Sequence, residues 1–369
     1  MPTGVFELMG QRDHEQVVFC SDKTTGLKAI IAIHNTVLGP ALGGCRMWTF
    51  ASEADALEDV LRLSRGMTYK AAAAGLNLGG GKAVIIGDSR TQKSEALFRA
   101  LGRFVHGLGG RYITAEDVGT SVTDMEWVRQ ETPYVTGVAR ALGGSGDPSP
   151  MTSWGVYHGI KACTKWVHGT EDLSGFKVAI QGLGHTGQYL AKYLHDEGVK
   201  LFVTDIDEER VRRVVDEFHA EAVAPDAIYD VKADIFAPCA LGKVVTDDTL
   251  GRFKFRIIAG AANNQLEIEE KHGRAVKEKG ILYAPDFVIN AGGLINVANE
   301  LEGYNQDRAK VQVEQIDPIL TEVFEIAKKE NIPTSVAANQ LAERRIAAMA
   351  HIKRTWVGVQ DSMYPRGRR

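Results

Sequence analysis

Residues 177–205 read KVAIQGLGHTGQYLAKYLHDEGVKLFVTD, and this stretch decides the fold. Lys177 to Gln181 is a short apolar run with the length and composition of a buried strand. Gly182-Leu183-Gly184-His185-Thr186-Gly187 follows, a full G-x-G-x-x-G, and a helix from about Thr186 ends at Gly198. Lys200 to Thr204 is the next strand, and it ends on Asp205, 23 residues beyond Gly182. The glycines permit a tight turn and bring backbone N–H groups to a pyrophosphate at a helix N-terminus. An acid at Asp205 accepts hydrogen bonds from a ribose 2′-OH and repels a 2′-phosphate, which favours NAD over NADP. The same carboxylate would also suit FAD.

Outward from this unit the alternation continues: strands are expected at Asp234–Pro238, Arg256–Ala259 and Ile281–Ala284. Strands alternating with helical segments imply a parallel, doubly wound sheet. Upstream, LGGSGDPSP at 142–150 combines three glycines with two prolines and is expected to be a hinge that continues neither helix nor strand. A chain of 369 residues exceeds what one core usually organises. The fold expected is therefore α/β with two domains: residues 1–140 with 335–369 as a catalytic and oligomerisation domain, and 141–334 as a doubly wound Rossmann NAD-binding domain, with a cleft between them. A last helical stretch from 335 to 349 returns to the first domain or to a neighbouring subunit.

The first third lacks the regular rhythm. Leu27 to Ile33 (LKAIIAI) reads as a buried strand, and a helix opens at Ser52 with Leu57, Val60, Leu61 and Ser64 on one face. Ala83 to Ile86 is a second apolar run. A helix from Ser94 to Gly109-Gly110 precedes a strand at 111–114.

Composition excludes several classes. Apolar residues are 44% and charged residues 24%, and the net charge of −4 gives no basic field for nucleic acid or an anionic membrane. The small basic tail Arg366, Arg368 and Arg369 reads as a solvated terminus. The four cysteines form no C-x-x-C pair, and the ten histidines show no ligand spacing, so no metal is assigned. No apolar stretch reaches membrane-spanning length, and Met1 to Gly10 has no leader-like pattern, so a cytoplasmic address is expected.

The chemistry concentrates in Gly66–Lys82, GMTYKAAAAGLNLGGGK. Lys70 and Lys82 are embedded among small and apolar residues, where an ammonium loses hydration and becomes a usable base. The triple glycine before Lys82 would let backbone approach a ligand. A phosphate loop is excluded, because Leu76 stands where a glycine is needed and Ala83 where Ser or Thr is needed. Asp117 follows a strand and could exchange protons beside Lys82 or cap a turn. Ala261–Gln265 and Asn290–Gly293 follow strands of the second domain, where ligands of doubly wound sheets bind. No G-x-S-x-G supports a serine hydrolase.

Beyond single motifs, whole segments are familiar: GLKAIIAIHNT, GPALGGCRMW, ALEDVLRLSRGMTYKAAAAGLNLGGGKAVIIGD, GRYITAEDVGT, DIFAPCALG, IIAGAANNQL and YAPDFVINAGGLINVANELEGYN. In this order they resemble the Glu/Leu/Phe/Val dehydrogenase family over nearly the whole chain, and its leucine-specific members most. The resemblance implies reversible NAD-dependent oxidative deamination of L-leucine and related branched-chain amino acids to 2-oxo acids, ammonia and NADH. It implies that Lys70, helped by Asn264, binds the substrate carboxylate, that Lys82 is the catalytic base and that Asp117 relays protons. Gly182, Leu183, Gly184, His185, Thr186, Gly187 and Gln188 would hold the pyrophosphate and Asp205 the adenosine ribose, with Thr152 and Asn290 near the nicotinamide. Leu42, Gly43, Gly44, Met67, Ala115, Thr136, Leu294 and Val297 would line the side-chain pocket. A homo-oligomer, octamer or dimer, is implied too.

The chain departs from the leucine-specific pattern at Cys45, in the hinge, at His185-Thr186 and at Leu294, where those members carry valine and aromatic-specific relatives leucine. A phenylalanine-type dehydrogenase is therefore the second reading. A dinucleotide-sensing module without catalysis is a third, and it would lack Lys82 or Asp117; both are present.

Overall fold

The computed structural model describes residues 4–352; the basic tail lies outside them. The described residues form two compact units. One holds residues 4–147, 297–306 and 342–352; the other holds Pro148–Asn296 and Asp307–Leu341. No helix among the described residues is long and apolar enough to cross a membrane.

The first unit is built on a five-stranded mixed sheet. Its strands are β1 (Gln16–Asp22), β2 (Leu27–Asn35), β3 (Ala41–Trp48), β4 (Gly79–Ile86) and β5 (Tyr112–Glu116), in the order β1-β2-β4-β3-β5. β2 runs antiparallel to β1 and β4, and β3 parallel to β4 and β5. Successive side chains leave a strand on opposite faces, so each strand feeds two cores. Ile30, Ala32 and Val84 pack with Ala56, Leu57, Val60 and Leu61 of the helix Glu53–Ala73. Ile31, Ile33, Ala83 and Ile85 pack with Leu97, Phe98, Leu101 and Val105 of the helix Glu95–Gly107. Each such buried leucine or phenylalanine contributes about 1.5–3 kcal/mol. Both helices start as the sequence predicts: Ser52 and Ser94 accept the N–H of the residue three further on, Asp55 and Leu97.

The second unit carries six parallel strands, β6 (Lys177–Gln181), β7 (Lys200–Thr204), β8 (Glu221–Ala222), β9 (Ile235–Pro238), β10 (Ile257–Ile258) and β11 (Leu282–Tyr283). Their order is β11-β10-β9-β6-β7-β8. This is the doubly wound dinucleotide-binding order, with its switch between β6 and β9. The expected α/β class with a Rossmann unit is what the chain adopts.

Three expectations about boundaries are corrected. Pro150 does not end a hinge; it lies in the first turn of the helix Ser149–His168, where its missing N–H costs nothing. Residues 141–147 and 297–306, expected in the second domain, belong with the first, where the Glu300 carboxylate takes the N–H groups of Gly137 (3.0 Å) and Ser145 (2.8 Å). Residues 335–341, expected in the first, belong with the second, where Asn339 donates to Glu269 at 2.9 Å. The helix Thr334–Ile352 does reach the first unit further on: Arg345 donates to the carbonyls of Leu76 (2.6 Å) and Gly75 (2.9 Å), closing the C-terminal end of the helix Glu53–Ala73.

Candidate active site

Lys82 sits in the middle of β4, paired with Ala32 of β2 on the face covered by the helix Glu53–Ala73. It is 5% exposed. A lone ammonium there would be unfavourable, and the fold supplies its counter-charge from a different strand. Asp117, immediately after β5, places Oδ2 2.8 Å from Lys82 Nζ. Its backbone is fixed by Thr120, whose hydroxyl accepts the Asp117 N–H (2.9 Å) and donates to Cys45 O (2.9 Å). Its carboxylate faces Lys82 and Arg46 and also takes the backbone N–H of Val118. Burial alone would raise its pKa; Lys82 and then Arg46 outweigh burial and hold it below the ordinary carboxylate range.

The triple glycine answers to the protein's own packing. A Cβ on Gly80 would lie 2.1 Å from Thr68 N, and one on Gly81 2.7 Å from the Tyr112 ring. The glycines let β4 lie against the helix Glu53–Ala73 and against the Tyr112 ring of β5, the next strand but one in the sheet. That contact brings the helix carrying Met67 and Lys70 down onto β4. Met67 also reaches β3, since a Cβ on Gly43 would meet Met67 Cγ at 3.3 Å. A Cβ on Gly44 would strike Asp117 Cβ at 2.9 Å, so this glycine is needed for Asp117 to stand beside Lys82. Leu42 on β3 and Ala115 on β5 are buried, as is Thr136, whose N–H donates to Thr114 O (2.9 Å). Val297 is buried in this unit too.

The second unit gathers the cofactor candidates. Gly182–Gln188 joins β6 to the helix His185–Asp196, and a Cβ on Gly187 would lie 2.0 Å from Gly182 O, which fixes the tight turn. Around Gly184 nothing lies within 4 Å of such an atom, so the approach to the helix N-terminus is open. Asp205 ends β7 with Oδ2 accepting the Leu183 N–H (2.5 Å) and Oδ1 the Asp207 N–H (2.9 Å). The Leu183 N–H is thus given to Asp205. Asn290 is 3% exposed, and its Nδ2 donates to Ala261 O (3.0 Å) and Asn263 Oδ1 (2.8 Å). Its Oδ1 is buried without a partner. Such an orphaned acceptor fits a ligand amide donor. Thr152 lies against Gly293, three residues beyond Asn290: a Cβ on that glycine would lie 2.6 Å from Thr152 Oγ1. Leu294 is buried three residues before Val297 on the helix Gly292–Ala298. Asn264 is exposed with φ 52°, a left-handed conformation that asparagine tolerates.

Sequence reasoning missed three features. Arg46 on β3 places Nε 3.2 Å from Asp117 Oδ2; a lone arginine inside a buried strand was its only signal. Glu116 is raised to about 7, first by burial and then by Asp147 and Asp117. Cys239-Ala240 closes on the glycine loop, where a Cβ on Gly182 would meet Ala240 Cβ at 2.5 Å.

Comparison with known proteins agrees with this geometry. Residues 14–134 match the family described as Glu/Leu/Phe/Val dehydrogenase, dimerisation domain, and residues 143–211 and 201–354 match Glutamate/Leucine/Phenylalanine/Valine dehydrogenase. A leucine dehydrogenase of Thermoactinomyces intermedius is 59% identical over 97% of this chain and 98% of its own length. A phenylalanine dehydrogenase of Bacillus thermotolerans is 50% identical, covering 93% and 91%. Among solved structures, the L-tryptophan dehydrogenase of Nostoc punctiforme superposes with a TM-score of 0.83 at 48% identity, covering 94% of this chain and 99% of that one. With both halves matched and this identity along nearly the whole chain, the protein belongs to the Glu/Leu/Phe/Val dehydrogenase family.

Proposed function

We propose that this chain catalyses the reversible, NAD-dependent oxidative deamination of L-leucine and related branched-chain L-amino acids to 2-oxo acids, ammonia and NADH. The observation that carries the reading is the pairing of buried Lys82 with partly buried Asp117, 2.8 Å apart, in a family whose members act on amino acids. Gly182, Leu183, Gly184, His185, Thr186, Gly187 and Gln188 would hold the pyrophosphate, Asp205 the adenosine ribose, and Asn290 with Thr152 the nicotinamide end. Bound there, NAD supplies the hydride acceptor. Lys70, with Asn264, binds the substrate carboxylate. Loss of hydride from Cα leaves an iminium, to which water adds. Lys82 takes a proton of that water as its oxygen bonds to the carbon, and Asp117 relays this proton from Lys82 to the amine; the C–N bond then breaks, ammonia leaves, and the neutral Lys82 takes the hydroxyl proton as the carbonyl forms. Leu42, Gly43, Gly44, Met67, Ala115, Thr136, Leu294 and Val297 line the side-chain pocket. A cytoplasmic homo-oligomer, dimer or octamer, completes the reading.

The test is NADH formation with L-leucine, L-valine and L-phenylalanine in turn. Preference for a branched-chain substrate is expected, and Leu294→Val should raise the L-leucine to L-valine ratio of kcat/KM by up to about tenfold, the effect of one methylene in an apolar pocket. Initial rates highest with L-phenylalanine would establish the aromatic reading, which Leu294 favours. Turnover of none of them would leave a dinucleotide-sensing module.

Asp205 gives a second, independent check. Asp205→Ala removes a charged acceptor for the 2′-OH and the anion that repels a 2′-phosphate. NAD-dependent kcat/KM is expected to fall about tenfold to a hundredfold while discrimination against NADP narrows. Unchanged discrimination would refute the assignment.

A further inference from the structure

Asp117 Oδ2 faces two cations at once, Lys82 Nζ at 2.8 Å and Arg46 Nε at 3.2 Å. Arg46 does not depend on Asp117 for its position. Its Nη1 lies 2.9 Å from Asp59 Oδ2 on the helix Glu53–Ala73, and Arg62 holds the other Asp59 oxygen at 2.8 Å. The guanidinium is thereby fixed between β3 and that helix, its side chain 22% exposed. Its planar fork serves two carboxylates in different directions, which an ammonium on a flexible stem reproduces less well.

A lysine that works as a base must spend part of each cycle neutral. While Lys82 carries its proton, Asp117 has two counter-charges; when Lys82 is neutral, Arg46 is the one that remains among those contacting it. Take Arg46 away and the carboxylate has Lys82 alone, so Asp117 takes up a proton at higher pH.

Other groups around the pair act differently. Glu116, next in sequence on β5, adds negative charge as it ionises near pH 7. Asp124, on the helix Val122–Arg129, is neutralised by Lys93. Burial pushes the Cys45 thiol and the Tyr112 phenol up, so both stay uncharged. None of these replaces the positive charge of Arg46.

We propose that Arg46 is a positioning residue of the reaction, holding Asp117 ionised and in place while Lys82 is unprotonated. The proposal rests on the assignment of Lys82 as base and Asp117 as relay. Two measurements test it, on the full chain, in wild type, Arg46→Gln and Arg46→Lys. One is the NMR titration of the Asp117 carboxyl without ligands, assigned with Asp117→Asn. The other is the pH profile of kcat/KM for L-leucine deamination.

In Arg46→Gln both the carboxyl titration and the acid limb of the profile are expected to move up by about half a pH unit or more, and Arg46→Lys should restore most of both. An unmoved carboxyl titration overturns the proposal. So does a uniform fall in activity with the limb in place, which is what a merely structural role would give. If the wild type deaminates no amino acid, the reaction reading fails by itself, and the carboxyl titration still decides whether Arg46 controls Asp117.

Discussion

Lys82→Ala is expected to lower kcat for L-leucine deamination about a thousandfold, with the KM for NAD little changed. The reason is local. Lys82 is the buried amine beside Asp117, and a positioned base contributes roughly a hundred- to ten-thousandfold. The glycine loop Gly182–Gln188 and Asp205 belong to the other unit and are untouched by the change. The variant should still fold, because Asp117 keeps Arg46 at 3.2 Å and is not stranded as an unpaired buried charge. Steady-state kinetics beside a thermal melt checks both halves. Turnover within tenfold of wild type would remove Lys82 from the role of base.

Loss of stability between about pH 6.5 and 4 is the second large effect expected, and its origin is a pair of buried histidines. His14 and His34 meet edge to face with centroids 4.8 Å apart. His34 Nε2 contacts Arg12 O at 2.9 Å and its Nδ1 contacts Thr68 Oγ1 at 2.8 Å. His14 Nε2 contacts Leu61 O at 3.0 Å, and its Nδ1 has no partner. A carbonyl can only accept, so each ring donates through Nε2 in its neutral form; His34 is then fully paired, while the buried Nδ1 of His14 is left without a donor.

Burial lowers both pKa values from 6.5 to about 4, and for His34 the adjacent His14 adds to it. Above pH 6.5 neither state of the chain binds these protons. Below it the unfolded chain takes them up and the folded one does not until about pH 4, so stability falls through that window and then levels. Each histidine accounts for up to about 3 kcal/mol, against a typical total of about 5–15.

Glu116 works in the opposite direction. Its folded pKa of about 7 lies above the unfolded value of 4.5, so its stabilising share is full below 4.5 and fades as pH rises through 7. The difference between wild type and a His14→Gln/His34→Gln variant therefore isolates the histidines. Denaturant unfolding at pH 7 and pH 4.5 should show the variant losing less on acidification. Equal losses would mean that the pair does not carry the effect.

Much of the second unit was legible in the chain because its signals are local. A strand, a glycine turn, a helix and an acid lie within residues 177–205, and each announces itself through its own periodicity or turn chemistry. The helix starts at Ser52 and Ser94 were legible for the same reason, as a cap acts over three residues. Harder to read were β3 and the helix Ser149–His168, whose glycines weaken both patterns. In that helix, a Cβ on Gly159 would meet Ile289 Cγ1 at 2.5 Å, so the glycine answers to a neighbour 130 residues away.

What the sequence alone determined is the family-wide plan: two α/β domains, a dinucleotide loop with Asp205 behind it, and lysines in unusually apolar company. Only the tertiary structure decided how these parts meet. The order β4-β3-β5 sets Lys82 against Asp117, and β3, lying between them, contributes Arg46 from the same face. It also showed that the triple glycine serves helix-on-strand packing, and that Glu300 ties residues 297–306 to the first unit. Periodicity and capping report on neighbours a few residues apart. Charge pairing and close packing depend on distance in space, and Arg46 and Asp117 are 71 residues apart along the chain.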